Sequence, residues 1–494
     1  MVGGGITGLT TAYRLHRARP DLGLSVIEAR DHVGGNIATH RVDGFLLDAG
    51  PDSFVRTKPD AVQLVRELGM EDELMTPDAR NVYLVHRGRL ELMPAGMALA
   101  VPTRLGPMVQ TPLLSLGGKL RMLADLWLPA KDGGAGVADD ESIEGFITRR
   151  FGREASERIV GPLLGGIYAG DVSQLSILAT FPQLSDLERA HGSLIRGLFA
   201  SAQHRTNEAA ASDAPPRSAS SFGQRVRELS GLLAWLRRSG APPPSPFYSL
   251  RRGMGSLIDA LEGSLPRGCV RTGVRVSSIT AARGEPRGFE VQVEGEPSEF
   301  ADAVVVTAPA HAAKTMVEDA PLAAELAAIP YVSTATVFVA LRREQVGHPL
   351  DGVGFLVPRG EGQILAATWV NAKWADRAPE DGVLLRAFLG GARTETDLRR
   401  LGDEELVSVA CSELTRLMGP LGEPLWTRTF RYHDANPQPV VGHAARLRRI
   451  EERLRGLPGL YLAGAAYGGV GVPDCVRQGR ETAEQLLARF AAPG

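Results

Sequence analysis

The chain has 494 residues, of which 44% are hydrophobic and 23% charged, and its formal net charge is −2. The length predicts two or three lobes, and the balanced charge argues against a nucleic-acid-binding protein. Three scattered cysteines exclude a disulfide framework, and ten histidines without metal-ligand spacing predict no metal site. We expect a cytoplasmic protein without a transmembrane segment.

The chain opens with a glycine-rich turn. Gly3, Gly5 and Gly8 fit the G-x-G-x-x-G pattern, in which the glycines permit a tight turn, a close pyrophosphate and close packing of helix on strand. Glu28 closes the next apolar run, 20 positions after Gly8, where a carboxylate can accept hydrogen bonds from ribose hydroxyls. This spacing predicts a dinucleotide-binding βαβ unit, with the phosphates at a helix N-terminus.

The first strand of this unit is short. Only Met1 and Val2 precede Gly3, whereas a strand usually has about five residues. We expect either a start that was assigned too late or a truncated central strand, and in the second case weakened nucleotide binding and lower stability.

A second glycine pair, Gly34-Gly35, follows Glu28. It lets the backbone run along the far side of a large dinucleotide, which favours FAD over NAD, although an ordinary hairpin turn is the alternative. The next predicted elements are strands at 37–41, 45–48, 82–86 and 90–93, and a helix at 59–68.

Helical patterns dominate the region from 105 to 198. The apolar, Pro/Gly-broken stretch 93–129 either docks on a membrane face or walls an apolar pocket, and we favour the pocket. Residues 131–140 read as a loop, and residues 203–221, rich in Ser, Pro and charge, as a flexible insertion.

Strand patterns return in the second half of the chain. They predict one large antiparallel sheet from 332 to 389, a helix at 403–418 and a final strand-glycine-helix pattern. In that pattern Gly464 and Gly471 precede a helix starting near Pro473. Either the helix N-terminus is aimed at a ligand or the glycines simply turn the chain into a terminal helix.

These patterns predict a mixed α/β and α+β fold. Its core is a discontinuous Rossmann-like FAD-binding domain of residues 1–85, 250–310 and 425–494. A helical lobe of residues 105–200 is inserted, and an antiparallel β lobe of residues 86–104 and 311–424 covers the substrate.

Taken together, the motifs resemble the flavin-containing amine oxidase superfamily, with an amine oxidase/PHBH-like arrangement of domains. Within it, Gly50–Phe54, Gly165–Asp171 and Gly469–Cys475 are similar to signatures of the oxygen-dependent protoporphyrinogen and coproporphyrinogen III oxidases. Asp52, and the run from Ala366 to Trp374, favour the coproporphyrinogen branch.

The resemblance implies FAD- and dioxygen-dependent oxidation of coproporphyrinogen III to coproporphyrin III in haem biosynthesis, with hydrogen peroxide as by-product. The alternatives are protoporphyrinogen IX as substrate, an amine oxidase or carotenoid desaturase, and a flavin-less binding protein of the same fold. The implied partners are the porphyrinogen, dioxygen and, transiently, the next enzyme of the haem pathway. Contact with the inner face of a membrane is a further expectation.

The resemblance also implies site residues. No acid-base group is required, so the catalytic contribution is limited to the backbone of Gly166 and Ala169. The substrate carboxylates call for cations, for which the candidates are Arg56, Lys58, Lys373 and Arg386, with Phe388 as an apolar wall; a solvated surface charge is the alternative for each cation. The expected FAD-binding residues are Gly3, Gly4, Gly5, Ile6, Thr7, Gly8, Glu28, Ala29, Arg30, Gly34, Gly35, Asn36, Gly50, Pro51, Asp52, Ser53, Val276, Tyr432, Gly464, Gly471, Val472, Pro473 and Asp474.

Overall fold

A computed structural model describes residues 1–98, 101–131, 140–209, 245–282, 288–393 and 398–491. The helices, including short 3-10 and π segments, are Ile6–Ala18, Pro59–Glu67, Glu71–Glu73, Leu105–Gln110, Leu116–Leu123, Ala124–Leu126, Ile143–Phe151, Arg153–Ala155, Ser156–Val160, Gly161–Tyr168, Ile177–Thr180, Pro182–His191, Leu194–Ala209, Gly255–Gly263, Ala310–Met316, Ala320–Ala327, Arg343–Gln345, Val370–Lys373, Asp403–Met418, His443–Arg455, Ala465–Gly468 and Val472–Ala491. The strands are Val26–Ile27, Thr39–Val42, Phe45–Asp48, Phe54–Val55, Leu74–Met75, Val82–His86, Arg89–Leu92, Met97–Ala98, Val101–Pro102, Phe247–Leu250, Val270–Arg271, Val276–Ala281, Phe289–Val293, Glu299–Ala301, Val304–Val306, Tyr331–Arg342, Gly354–Leu356, Ala366–Trp369, Gly382–Gly390, Trp426–Pro437 and Leu460–Leu462.

A small parallel sheet carries the opening glycine turn. Val26–Ile27 pairs with Val270–Arg271, and Val304–Val306 pairs with Leu460–Leu462. Val2 lies between these two pairs and forms parallel bridges to Ile27 and Val306. Its amide donates to the carbonyl of Val305 at 2.8 Å. The short segment before Gly3 therefore occupies the centre of the sheet, which aims the glycine turn at the carboxyl ends of the strands.

The first and last helices of the chain pack against each other. A Cβ atom at Gly479 would lie 2.8 Å from the carbonyl oxygen of Thr7, and the Thr11 hydroxyl donates to the carbonyl of Gly479 at 3.3 Å. The glycine permits this close crossing. Both ends of the chain thus meet, as a discontinuous nucleotide-binding domain requires; the domain bounds themselves stay a prediction.

A second, seven-stranded sheet forms the β lobe. Its strand order is Trp426–Pro437, Tyr331–Arg342, Gly382–Gly390, Ala366–Trp369, Gly354–Leu356, Val82–His86 and Arg89–Leu92. The strands between 331 and 390 pair antiparallel with one another, as predicted for residues 332–389. The pairing of 354–356 with 82–84 is parallel and adds a strand that the predicted sheet did not include. Strands 82–86 and 426–437 belong to this sheet, although the sequence analysis placed them in FAD-binding segments, because a strand pattern does not reveal which sheet a strand joins.

The helical lobe is held by a buried ion pair. The carboxylate of Asp125 accepts from Nε of Arg150 at 2.6 Å and from the Ser193 hydroxyl at 2.6 Å, and both charged side chains are fully buried. Further carbonyls accept from the Arg150 guanidinium, so both charges are satisfied and fix the packing of the lobe. Helix Leu194–Ala209 reaches into the segment predicted as an insertion; residues 210–221 of that segment, and 132–139 of the predicted loop, lie outside the described residues.

None of the helices in the described part of the chain combines the length and apolar character needed to cross a membrane. The mixture of parallel and antiparallel strands with helices confirms the predicted fold class.

Candidate active site

The opening turn places two predicted FAD-binding glycines, Gly5 and Gly8, in different environments. A Cβ atom on Gly8 would lie 2.2 Å from the carbonyl oxygen of Gly3 and 2.8 Å from Oγ1 of Thr307, so no larger residue fits. A Cβ atom on Gly5 would meet nothing within 4 Å, which leaves open space at the turn. Ile6 and Thr7 form the first turn of helix Ile6–Ala18, whose N-terminus faces this space.

The carboxylate of Glu28 ties the turn to the next loop. It accepts from the amide of Gly4 at 2.7 Å and from the amide of Arg30 at 2.9 Å. Ala29 directly follows Glu28, two positions after the end of strand Val26–Ile27. The acidic residue is therefore beside the glycine turn, as the spacing predicted, and its contact with a ribose stays a prediction.

The second glycine pair crosses the first turn. The amide of Gly34 donates to the carbonyl of Gly4 at 2.8 Å, and the Arg30 guanidinium donates to the carbonyl of Gly35 at 2.7 Å. Gly34 has a φ of +100°, which favours glycine. Its position beside the first turn supports a role in cofactor binding rather than an ordinary hairpin turn.

The loop from Gly50 to Ser53 continues this surface. A Cβ atom on Gly50 would lie 1.7 Å from the carbonyl oxygen of Asn36, so the two predicted segments touch and only glycine fits. Asn36 donates weakly to the carbonyl of Ala435 at 3.5 Å, and the Ser53 hydroxyl donates to Asp52 at 2.7 Å. Pro51 lies between Gly50 and Asp52 in this loop.

Two cations of the β lobe hold this loop. The carboxylate of Asp52 accepts from Nζ of Lys373 at 2.7 Å and from Nε1 of Trp374 at 3.1 Å. The buried guanidinium of Arg386 donates to the carbonyls of Ala49 at 2.6 Å and Gly50 at 2.8 Å. We call this set of contacts, made by Asp52, Lys373, Trp374 and Arg386 around residues 49–53, the loop clamp.

The charges of the loop clamp depend on each other. Burial alone would raise the pKa of Asp52, but the nearby Lys373 and Arg386 charges hold it well below its usual value. Burial lowers the pKa of Arg386, and Asp52 opposes that shift. The guanidinium of Arg386 also lies 4.5 Å from the ring centre of Phe388. The opposite charges of the loop clamp thus offset the cost of burying each other, and Asp52 stays ionised.

The C-terminal motif lies close to these elements. The amide of Gly464 donates to Oε1 of Gln478 at 3.1 Å, and Gly471 directly precedes helix Val472–Ala491, which contains Pro473 and Asp474. Both carboxylate oxygens of Asp474 accept from Nζ of Lys58 at 2.7 Å. The helix N-terminus therefore carries a paired carboxylate, and Lys58 is bound within the protein.

His443 contacts the backbone of the same C-terminal motif at Ala466. Burial lowers the pKa of His443 to about 4, so its imidazole is neutral at pH 7, and Nε2 is 3.0 Å from the carbonyl oxygen of Ala466. In this geometry the neutral ring donates through Nε2.

The remaining predicted residues lie at defined places. Val276 is buried at the start of the strand that pairs with Phe289–Val293. Tyr432 pairs with Thr334 in the large sheet, and burial raises the pKa of its hydroxyl. The guanidinium of Arg56 lies 5.3 Å from the ring centre of Tyr248. Their contacts with cofactor or substrate stay predictions.

The glycine-rich segment 165–171 packs against the β lobe. A Cβ atom on Gly166 would lie 3.7 Å from Leu356. The carbonyl of Ala169 accepts from the amide of Ala392 at 2.8 Å, so this oxygen already has a partner. The backbone role of Gly166 and Ala169 towards pyrrole N–H groups stays a prediction.

Sequence reasoning missed several residues of the site. The Thr307 hydroxyl donates to the carbonyl of Gly3 at 2.8 Å, and Gln438 donates to the carbonyl of Tyr168 at 2.9 Å. Thr307 directly follows the β-branched run Val304–Val306. A polar residue at the carboxyl end of a buried strand could have indicated a place in the site. No comparable local signal marks Gln438.

The arrangement fits FAD on its own geometry. The open space at Gly5, the facing helix N-terminus and the crossing backbone of residues 34–36 and 50 form one continuous glycine-lined surface. Among the described residues, no group of three or more His, Cys, Asp or Glu side chains could hold a metal ion.

Comparisons with known proteins agree with this geometry. Residues 6–487 match the family described as flavin containing amine oxidoreductase. Coproporphyrinogen III oxidases of Bacillus subtilis and Propionibacterium freudenreichii subsp. freudenreichii are 33% and 36% identical over 99% of this chain, covering 97% and 90% of their own lengths. A crystal structure from Exiguobacterium sp. 255-15, provisionally named a protoporphyrinogen oxidase, has a TM-score of 0.81 and 32% identity, and the match covers 99% of this chain and 98% of that one.

The two environments at the opening turn predict separable effects of substitution. Gly5→Val projects into open space, so we expect the flavin-free protein to keep its melting temperature while its affinity for FAD falls at least about tenfold. Gly8→Ala places a methyl group against the Gly3 carbonyl, so we expect the melting temperature to fall as well. Thermal melts and FAD titrations of both variants measure this; equal loss of stability in both would contradict the assignment.

Proposed function

Because the chain belongs to the family of flavin-containing amine oxidoreductases, we propose that it is a FAD-dependent oxidase that converts coproporphyrinogen III to coproporphyrin III. The observation that carries the substrate choice is the 33–36% identity, over 99% of this chain, to coproporphyrinogen III oxidases. Dioxygen as final electron acceptor, hydrogen peroxide as by-product and a transient contact with the next haem-pathway enzyme belong to the same proposal.

The protein has a limited chemical task in such a reaction. When FAD is bound, it supplies the acceptor for the hydrogens that the macrocycle loses on becoming aromatic. The residues that would hold it are the glycine turns at 3–8 and 34–35, Glu28, the loop 50–53 and the helix N-terminus at Val472. Because aromatisation drives the reaction, the site needs orientation and exclusion of side reactions more than a general base.

The loop clamp supplies the orientation. Arg386 and Lys373 bind the Gly50–Ser53 loop, which carries FAD contacts, to the sheet that carries Phe388. The flat faces of a porphyrinogen would then lie between this sheet and the glycine-rich segment 165–171. Substrate contacts by Lys58, Lys373 and Arg386 remain part of the proposal, although each of these side chains also has partners within the protein.

Protoporphyrinogen IX is the second candidate substrate. The name given to the Exiguobacterium protein favours it, since that structure covers 99% of this chain. The two substrates differ in charge, because coproporphyrinogen carries four propionates and protoporphyrinogen two, so the choice depends on the cations of the pocket.

We expect a preference for coproporphyrinogen III when the FAD-loaded protein is assayed in air by porphyrin fluorescence. The predicted ratio of kcat/KM values is at least about tenfold, or about 1.4 kcal/mol, because two further carboxylates are recognised. Heat-inactivated protein controls for spontaneous oxidation. A higher kcat/KM for protoporphyrinogen IX would reject the proposed substrate.

We also propose that the helical lobe touches a membrane surface. Within the stretch 93–129, the side chains of Met108, Leu113, Leu114, Met122 and Leu126 are buried in the core of the lobe. Val109, Leu116, Leu120 and Trp127 remain 61–75% exposed on the other side. An exposed apolar set of this kind marks a docking surface more than an internal pocket wall.

Flotation with phosphatidylglycerol vesicles tests this contact. We expect the double variant Leu116→Ser, Leu120→Ser to lower the bound fraction, since each leucine loses about 1.5 kcal/mol or more of burial. Leu425→Ser, which removes an exposed leucine next to the large sheet, is the matched control. If the double variant binds vesicles as strongly as the Leu425→Ser control does, the proposed membrane contact of the helical lobe is rejected.

A further inference from the structure

The glycine-rich segment 165–171 lies where the two lobes and the flavin motif meet. Helix Gly161–Tyr168 ends there, and the carbonyls of Tyr168 and Ala169 accept from Gln438 and Ala392. Burial raises the pKa of the Tyr168 hydroxyl, and the neighbouring carboxylate of Asp474 adds to the shift. The segment is therefore near both the end of a β-lobe strand and the N-terminus of helix Val472–Ala491.

Arg393 extends from the β lobe to this segment. It follows strand Gly382–Gly390, and its guanidinium carbon lies 3.7 Å from the position of a Cβ atom on Gly165. In the described part of the structure, its Nε and Nη2 atoms are buried and have no hydrogen-bond partner. Two buried guanidinium nitrogen atoms without acceptors are costly, so they are available for an anion that the protein itself does not supply.

The nearest carboxylate does not fill this role. Oδ1 of Asp171 accepts from the amide and hydroxyl of Ser173 at 2.9 and 2.8 Å. Oδ2 of Asp171 lies 3.5 Å from Nη1 of Arg359, whose side chain is largely exposed. Burial lowers the pKa of Arg393, and Asp171 opposes the shift without a hydrogen bond. The three side chains together keep a net positive charge.

The other cations near the flavin motif are committed elsewhere. Lys58 is bound to Asp474, Lys373 to Asp52, and Arg386 to the carbonyls of Ala49 and Gly50. Arg393 differs from them because two of its buried nitrogen atoms, Nε and Nη2, have no hydrogen-bond partner among the described residues, whereas in Arg386 this holds for Nε alone.

We infer that Arg393, assisted by Arg359, binds one propionate carboxylate of the porphyrinogen at the edge of the glycine-rich segment. The planar guanidinium can hold a carboxylate through two parallel hydrogen bonds. Gly166 is exposed next to the buried Gly165, and it has no side chain that would cover a flat ring lying beside it. The inference rests on the proposed function and adds a residue that determines substrate charge specificity.

Binding of coproporphyrin III, the stable product, tests the role of Arg393 independently of turnover. Protein fluorescence quenching is measured with the tetra-acid and with its tetramethyl ester in the same detergent. For Arg393→Met we expect the affinity for the acid to fall about 10- to 100-fold while the affinity for the ester stays within about twofold of wild type. Arg393→Lys keeps the charge, so its affinity for the acid should lie between those of wild type and Arg393→Met. Arg359→Met should lose less affinity for the acid than Arg393→Met, because solvent screens the charge of Arg359.

Arg267→Met, which removes an exposed arginine of the nucleotide-binding half, is the matched control and should bind both ligands as wild type does. Unchanged affinity of Arg393→Met for the acid, or an equal loss for acid and ester, overturns the inference. If Arg393→Met does not fold, Arg393→Gln repeats the comparison with a polar side chain of similar length. A wild-type protein that neither binds coproporphyrin III nor oxidises coproporphyrinogen III refutes the proposed function and the inference together, whereas wild-type oxidation with an unaffected Arg393→Met refutes the inference alone.

Discussion

The loop clamp fixes the geometry on which the rest of the site depends. One side of the clamp, residues 49–53, belongs to the nucleotide-binding half of the molecule, and the other side belongs to the seven-stranded sheet. Removing one partner of a fully buried ion pair costs about 3–5 kcal/mol, because the other charge stays desolvated. The loss is smaller for Lys373 and Asp52, whose side chains keep 16% and 19% of their surface exposed. The distance between a flavin and any substrate under the sheet is therefore set by ionised groups that cannot be separated cheaply.

The cations near the expected flavin position differ in whether their partners lie within the protein. Lys58, Lys373 and Arg386 lie around the expected flavin position, yet each is bound to a carboxylate or to backbone carbonyls. Their positive charges stabilise the cofactor loop and the C-terminal helix. We therefore propose that recognition of a carboxylated substrate depends more on Arg393, whose buried Nε and Nη2 atoms have no hydrogen-bond partner among the described residues.

Much of the cofactor side could be predicted from the sequence because its causes are local. Gly8 and Gly50 are glycines since a carbonyl oxygen lies within 2.2 Å of where a Cβ atom would be, and such positions appear as spaced glycines. The strands Phe45–Asp48 and Val82–His86 and the helix Asp403–Met418 have the predicted bounds, because local apolar patterns mark each of them.

The substrate side was less predictable because its contacts join distant parts of the chain. Lys58 meets Asp474 across 416 positions and Lys373 meets Asp52 across 321, so their partners leave no local pattern. For the same reason, the sequence placed strand Trp426–Pro437 with the FAD-binding segments, while its hydrogen bonds place it at the edge of the large sheet. Arg393 had no distinguishing sequence context, and only its burial without acceptors identified it.

The most direct test of the account is the reductive half-reaction without dioxygen. The FAD-loaded protein is mixed anaerobically with coproporphyrinogen III, and flavin absorption and porphyrin fluorescence are followed together. We expect the visible flavin absorption to disappear on anaerobic mixing and porphyrin fluorescence to appear only after air is admitted, because full aromatisation needs several hydride-type transfers and one FAD accepts a single hydride before it must be reoxidised. Flavin that stays oxidised in the presence of this substrate, while dithionite still reduces it, would contradict the account.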